Sequence, residues 1–220
     1  MVCTQGTERC DALSSVLVSA FPGAMEATAM ESGRAAVVVG DTPVLVGPIV
    51  RSLADTHDVW VVGAGVMTSE RLAAACPPGR SWPDRGPVPA RLEVLLHCAD
   101  TYAEGPLQDT AVDTWRDLFQ ANLFDFAELT SILLPALRAT RGHVIVINSS
   151  GIADRPEGRA AYAGSKAALA ALTEVLRTEE EQHGVRVTVI DPGQDATVGV
   201  LAADLAEAIA GAVRSLALPR

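Results

Sequence analysis

Residues 143–151 read HVIVINSSG and residues 159–184 read RAAYAGSKAALAALTEVLRTEEEQHG, and these two stretches decide the fold. His143 to Asn148 is a short, unbroken apolar run. Such a run marks a strand buried on both faces of a parallel sheet, where a half-exposed strand would alternate. It passes directly into small polar residues. After a stretch with Pro and Gly comes a long run of helix formers, Arg159 to His183, with Gly184 as its stop signal. Val185 to Ile190 repeats the buried-strand pattern and closes on Asp191-Pro192-Gly193. A strand, a long helix and a second strand of this kind form a crossover unit, whose strands are parallel and whose hand is right.

Working outward, the same alternation continues. Upstream lie a strand at Leu92 to His97 and a long helical region at Val112 to Ala139, with Pro135 near its end. Further upstream are a buried strand at Ala35 to Val39 ending at Gly40, a helix at Val44 to Ala54, a strand at Val59 to Val62 and a short helix at Ser69 to Ala75. The Pro- and Gly-rich segment from Gly79 to Val88 leaves room for a very short third strand around Ser81 and Trp82. A last helix covers Leu201 to Leu216. The expectation is one α/β domain over residues 34–220, preceded by a polar leader, residues 1–33, in which Asp11 to Phe21 can form a short helix. Its doubly wound parallel sheet has about six strands in the order 3-2-1-4-5-6, with helices on both faces.

Composition narrows the function. The 220 residues suffice for a single domain with a sizeable core, and the formal net charge of −10 argues against a nucleic-acid or anionic-membrane surface. Charges interrupt every apolar stretch long enough to span a bilayer. The apolar run Leu13 to Phe21 is preceded by Glu8, Arg9 and Asp11, unlike the basic start of a signal peptide. Cys3, Cys10, Cys76 and Cys98 have no CxxC spacing, so reduced thiols and a cytoplasmic location are expected. His57, His97, His143 and His183 are scattered, and no metal site is expected.

Chemistry concentrates in Tyr162-Ala-Gly-Ser-Lys166. A spacing of four puts phenol and ammonium on one helix face, one turn apart. A cation so placed favours the phenolate and would lower the tyrosine pKa toward the range of a general acid/base. Of the 17 basic residues 16 are Arg, and Lys166 is the single lysine, which singles it out for chemistry that Arg cannot perform. Ser149 follows a strand at its carboxyl end, where open α/β sheets place their ligands, and its hydroxyl suits a substrate carbonyl.

These residues carry a resemblance. From Leu92 to Thr197 the chain resembles the short-chain dehydrogenase/reductase family, with its Rossmann-type fold. Ser149, Tyr162 and Lys166 match the family's catalytic Ser, Tyr and Lys, and Asn122 in WRDLFQANL matches its catalytic Asn, which helps hold a proton-relay water. The resemblance implies an NAD- or NADP-dependent oxidoreductase interconverting a small carbonyl and alcohol. Tyr162 would protonate the nascent alkoxide, Lys166 would also bind ribose hydroxyls, and Ser149 would orient the carbonyl. It further implies cofactor contacts from Gly40, Asp84, Ala99, Tyr162, Lys166, Gly193 and Thr197.

The cofactor end departs from the family pattern. Its glycine-rich turn has glycines at the first, fifth and seventh positions. Here Gly40 holds the first, while Val44 and Val46 stand at the others and are expected to obstruct diphosphate approach and helix packing. Asp41 adds a negative charge. His97-Cys98-Ala99-Asp100 replaces Asn-Asn-Ala-Gly and brings a carboxylate to the cofactor cleft. Gly63-Ala-Gly65 does not choose between NAD and NADP. Two other readings therefore stand beside the oxidoreductase: a scaffold or regulatory protein that has lost the cofactor, and a redox-neutral dehydratase, cyclase or isomerase. Leu118, Phe119, Phe124, Phe126, Leu169, Leu172 and Leu176 exceed what one sheet face should cover. With the pairing implied by the resemblance, they predict a homodimer through the two long helices.

Overall fold

The structure is a computed structural model describing residues 34–40, 43–62, 80–81, 89–149, 157–191 and 203–217. The expected leader, the Ser69 to Ala75 helix, Asp41, Gly63 to Gly65, Asp84, Gly193 and Thr197 lie outside these residues, as does the side chain of Val44. The strands are β1 (Ala35–Val39), β2 (Asp58–Val62), β3 (Arg80–Ser81), β4 (Val94–His97), β5 (His143–Ile147) and β6 (Arg186–Ile190). They form one six-stranded sheet in the order β3-β2-β1-β4-β5-β6, with every pairing parallel. The expected order holds, including the very short third strand.

Strand periodicity explains the two cores. In β1, Ala36 and Val38 face one side with Val59, Val61, Val94 and Leu96. Ala35, Val37 and Val39 face the other with Trp60, Leu95, Val144 and Val146. Helix α1 (Pro43–Ala54) covers the first face through Leu45, Val46, Ile49, Val50 and Leu53, together with α5 (Ala203–Ala217) through Ala210, Val213 and Ala217. The second face is covered by α3 (Asp125–Thr140) through Phe126, Leu133, Ala136 and Leu137 and by α4 (Ala160–Glu181) through Leu169 and Leu176. Gly184, at φ 72°, stops the chain beyond α4 in the left-handed region, where glycine carries no steric cost.

Three expectations need correction. The helical region from Val112 runs unbroken to Thr140 but not as one regular α-helix: α2 (Val112–Phe119) passes into a π-helical turn, Gln120–Phe124, before α3. The wider turn accommodates an extra residue and turns Asn122 inward. Val46 does not fill a ligand pocket; it is fully buried in the core between α1 and the sheet. A Cβ on Gly40 would meet Cys98 Sγ at 2.5 Å and Val46 Cγ2 at 2.9 Å, so glycine is required there by close packing. The apolar helix residues are mostly covered within the chain. Leu118, Phe126, Leu169 and Leu176 are buried and Phe119 and Leu172 partly so, which leaves Phe124 exposed.

The ends of α3 and α4 are tied by one ion pair. Arg138 donates from Nε to Glu180 Oε2 at 2.9 Å and from Nη2 to Oε1 at 2.6 Å. Glu180 is 1% exposed and Arg138 42%. Loss of the arginine strands a buried carboxylate, whereas loss of the glutamate frees a side chain that reaches water. Arg138→Met should therefore cost about 2–3 kcal/mol and Glu180→Gln about half of that, read from urea midpoints at constant slope.

Candidate active site

The site forms where β4 and β5 end and α4 begins. Ser149 is carried just past the carboxyl end of β5, and Asp100 three residues past that of β4. Tyr162 and Lys166 lie in the first two turns of α4, and all of Ser149, Tyr162, Lys166 and Asn122 are buried. Ser149 Oγ and the Tyr162 hydroxyl are 2.9 Å apart. The expected pair thus meets at hydrogen-bond distance on the carboxyl edge of the sheet.

Asn122 holds the segment after β4. Its Oδ1 accepts from the Thr101 amide at 2.8 Å, and its Nδ2 donates to Thr101 O at 2.8 Å and to Ser165 Oγ at 3.0 Å. Asn148 Nδ2 donates to Lys166 O at 3.2 Å and so ties α4 to the end of β5. The inward turn at Asn122 and the carboxyl end of β5 hold α4 from two sides.

Asp100 changes the electrostatics. The Tyr162 hydroxyl donates to Asp100 Oδ1 at 2.9 Å, and Lys166 Nζ lies 2.8 Å from the same oxygen. The ammonium also points at Ala99 O, 3.5 Å away, and stands 5.6 Å from the Tyr162 ring centroid. The expected lowering of the Tyr162 pKa is reversed. Burial pushes the phenol up well above its ordinary value, and the Asp100 charge adds to this, while the Ser149 hydrogen bond opposes it. Position 100 was legible as a charge in the cleft; its capture of both Tyr162 and Lys166 was not.

Two further residues frame the site without having been singled out. Tyr102 packs edge-on to Tyr162 with centroids 5.0 Å apart, and its hydroxyl donates to Glu104 at 3.2 Å. The Arg159 guanidinium sits 5.4 Å above the Tyr102 ring. The Gly105 amide, donating to Gly158 O at 2.7 Å, joins these two segments. Among the described residues no cluster of His, Cys, Asp and Glu could hold a metal ion, and no helix is long and apolar enough to cross a membrane.

Comparison with known proteins identifies the family. The family profile described as short chain dehydrogenase matches residues 88–204, and the chain belongs to the short-chain dehydrogenase/reductase family, a family of oxidoreductases. It is similar to L-fucose dehydrogenase of Mus musculus, at 30% identity over 185 residues, covering 77% of this chain and 68% of that protein. It is also similar to dehydrogenase/reductase SDR family member 7B of Bos taurus, at 41% identity over 104 residues. That match covers 46% of this chain and 32% of the bovine protein, so the chain spans about a third of the length of that relative. A metagenomic short-chain oxidoreductase solved in complex with NADP superposes with a TM-score of 0.64 at 25% identity, covering 84% of this chain and 90% of that one.

His97, at the end of β4, gives the site a pH signature. It is fully buried against Phe126, with ring centroids 4.8 Å apart, and neither ring nitrogen has a hydrogen-bond partner of ordinary geometry among the described residues. Burial, reinforced by the Lys166 charge, lowers its pKa from 6.5 to about 3. Below pH 6.5 the unfolded chain takes up a proton that the folded one refuses. The stability contribution is therefore present above that pH and is lost as pH falls toward 3. His97→Leu should flatten the stability profile between pH 6.5 and 4 by up to about 1.4 kcal/mol per pH unit, as measured by denaturant titration across that range.

Proposed function

We propose that the chain is an acid/base enzyme acting on a small alcohol or the corresponding carbonyl, with Tyr162 exchanging the proton at the substrate oxygen. One observation carries this reading: the Tyr162 and Ser149 hydroxyls lie 2.9 Å apart at the carboxyl edge of a parallel sheet. Ser149 orients the substrate oxygen, Lys166 supplies the positive charge behind the site, and Asn122 positions the segment that carries Asp100. A scaffold has no need for all four residues to converge. Family membership favours oxidoreduction, for which NAD or NADP would be the hydride partner.

The described residues do not fit the nicotinamide ribose in this arrangement. Its hydroxyls would need Tyr162 and Lys166, and Asp100 Oδ1 already accepts the Tyr162 hydrogen bond and pairs with the Lys166 ammonium. These contacts favour a second reading, in which the same acid/base residues serve a redox-neutral dehydration, cyclisation or isomerisation. Fluorescence titration with NADH and NADPH separates the two. The unmodified protein is expected to show no saturation at low micromolar concentration. Asp100→Gly should improve affinity by about one to two powers of ten, the worth of one or two recovered hydrogen bonds to polar groups. Low-micromolar binding by the unmodified protein, with no gain from Asp100→Gly, would return the site to an ordinary NAD(P)-dependent reductase.

The homodimer through the helices of residues 112–140 and 160–181 is part of the same proposal. Phe124, 51% exposed, and Val175, 54% exposed, are large apolar side chains without cover in the single chain, and they support it. Sedimentation velocity at micromolar concentration should give a dimer, and Phe124→Glu should give a monomer. A monomeric unmodified protein would remove the dimer from the reading.

A further inference from the structure

The hydrogen bonds around Tyr162 have a direction. A phenol has one proton, and the Tyr162 hydroxyl donates it to Asp100 Oδ1 at 2.9 Å. A carboxylate accepts only, and Lys166 Nζ pairs with the same oxygen at 2.8 Å. With its own proton committed, Tyr162 receives the proton of Ser149 across their 2.9 Å contact. The chain runs from Ser149 to Tyr162 to Asp100. Ser149 Oγ, having spent its proton inward, retains only lone pairs for a ligand.

We propose that Asp100 is a specificity-determining residue: by orienting the Ser149–Tyr162 chain inward it makes the site a hydrogen-bond acceptor, suited to the hydroxyl of an alcohol in preference to a carbonyl. A carbonyl oxygen facing Ser149 would place two acceptors together, and a donor would have to be recovered by breaking the Tyr162–Asp100 bond. An alcohol extends the chain by one more donor without breaking anything. This rests on the reading of Ser149 and Tyr162 as the substrate-facing pair and narrows the substrate class within it.

The groups that set this direction come from every neighbouring element. Lys166 and Tyr162 project from α4, Ser149 follows β5, and Asp100 follows β4. Tyr102 packs edge-on to Tyr162, with Glu104 and Arg159 beyond it. Neutral His97 lies buried near Lys166. Asp100, with 31% of its side chain exposed beside a 1%-exposed lysine, is the carboxylate that reaches the phenol.

Two measurements test the proposal. Ligand-observed NMR with cyclohexanol and cyclohexanone as probes should show the alcohol bound about ten-fold more tightly by the unmodified protein, and Asp100→Gly should abolish the preference. Equal binding, a ketone preference, or the same alcohol preference in Asp100→Gly overturns it. The second measurement needs no ligand and therefore stands even if the substrate reading fails. The chain has two tyrosines, so in a Tyr102→Phe background the ultraviolet titration reports Tyr162 alone. Asp100→Asn and Asp100→Gly should each lower its pKa by about one unit or more, as the ammonium turns from carboxylate to phenol. If neither probe binds, this titration decides. A Tyr162 titration unchanged in whichever of the two variants folds shows that Asp100 does not hold the phenolic proton, and the proposal falls.

Discussion

A lysine ammonium that is 1% exposed must be neutralised within the protein, because an uncompensated buried charge costs several kcal/mol. Lys166 meets that requirement through Asp100, and much of the local architecture follows from it. The contact fixes the first turns of α4 against the segment leaving β4. That segment is held from behind by the three hydrogen bonds of Asn122 to Thr101 and Ser165. The π-helical turn, the end of β4 and the start of α4 are thus joined around one ion pair. Because Asp100 is partly exposed, the pair is neither a dry internal bridge nor a weak surface one, and its geometry is fixed by the elements that carry it.

The same contact redistributes the chemistry of the tyrosine. A lysine one helical turn from a phenol should favour the phenolate, and here its charge is spent on a carboxylate at 2.8 Å while the phenol ring centroid lies 5.6 Å away. Burial and the Asp100 charge then act on Tyr162 in the same direction, and the neutral phenol is favoured. A single change at the end of β4 alters the proton affinity of a residue 62 positions further along the chain. Tyr162 and Lys166 thus share one carboxylate partner, and that carboxylate sets the electrostatics between them.

Much of this architecture was legible in the sequence, and the reasons are physical. Unbroken apolar runs such as Ala35–Val39 and His143–Ile147 report strands buried on both faces, and alternating them with helical spacing fixed the strand order. Ser149, Tyr162 and Lys166 could be grouped because helix periodicity and the carboxyl-end rule act locally. The remaining features depend on tertiary context. No local signal announces that the helix around Asn122 widens by one residue. Val46 reads as a steric obstruction to a ligand, but its neighbours on α1 and α5 make it part of the core. The helix residues named for an interface are mostly absorbed by the sheet, because the sequence gives their spacing but not the area of the face they meet.

The cofactor end and the catalytic end of this fold answer to different constraints. Acid/base chemistry needs convergence within hydrogen-bond distance, and the crossover geometry brings Ser149 and Tyr162 together whatever follows β1. Dinucleotide binding needs bare backbone at the switch point between β1 and β4 and free donors on Tyr162 and Lys166. On the proposed reading the second demand meets Asp100, which accepts from Tyr162 and pairs with Lys166, whereas Val46 packs against Gly40 as part of the core. On the proposed reading the two ends share Asp100, which would both occupy the donors a ribose needs and orient the phenolic proton. A replacement there acts on cofactor affinity and proton placement together, whereas a replacement at Val46 acts on core packing. On the proposed reading, position 100 therefore bears more directly than Val46 on the reaction the site can support.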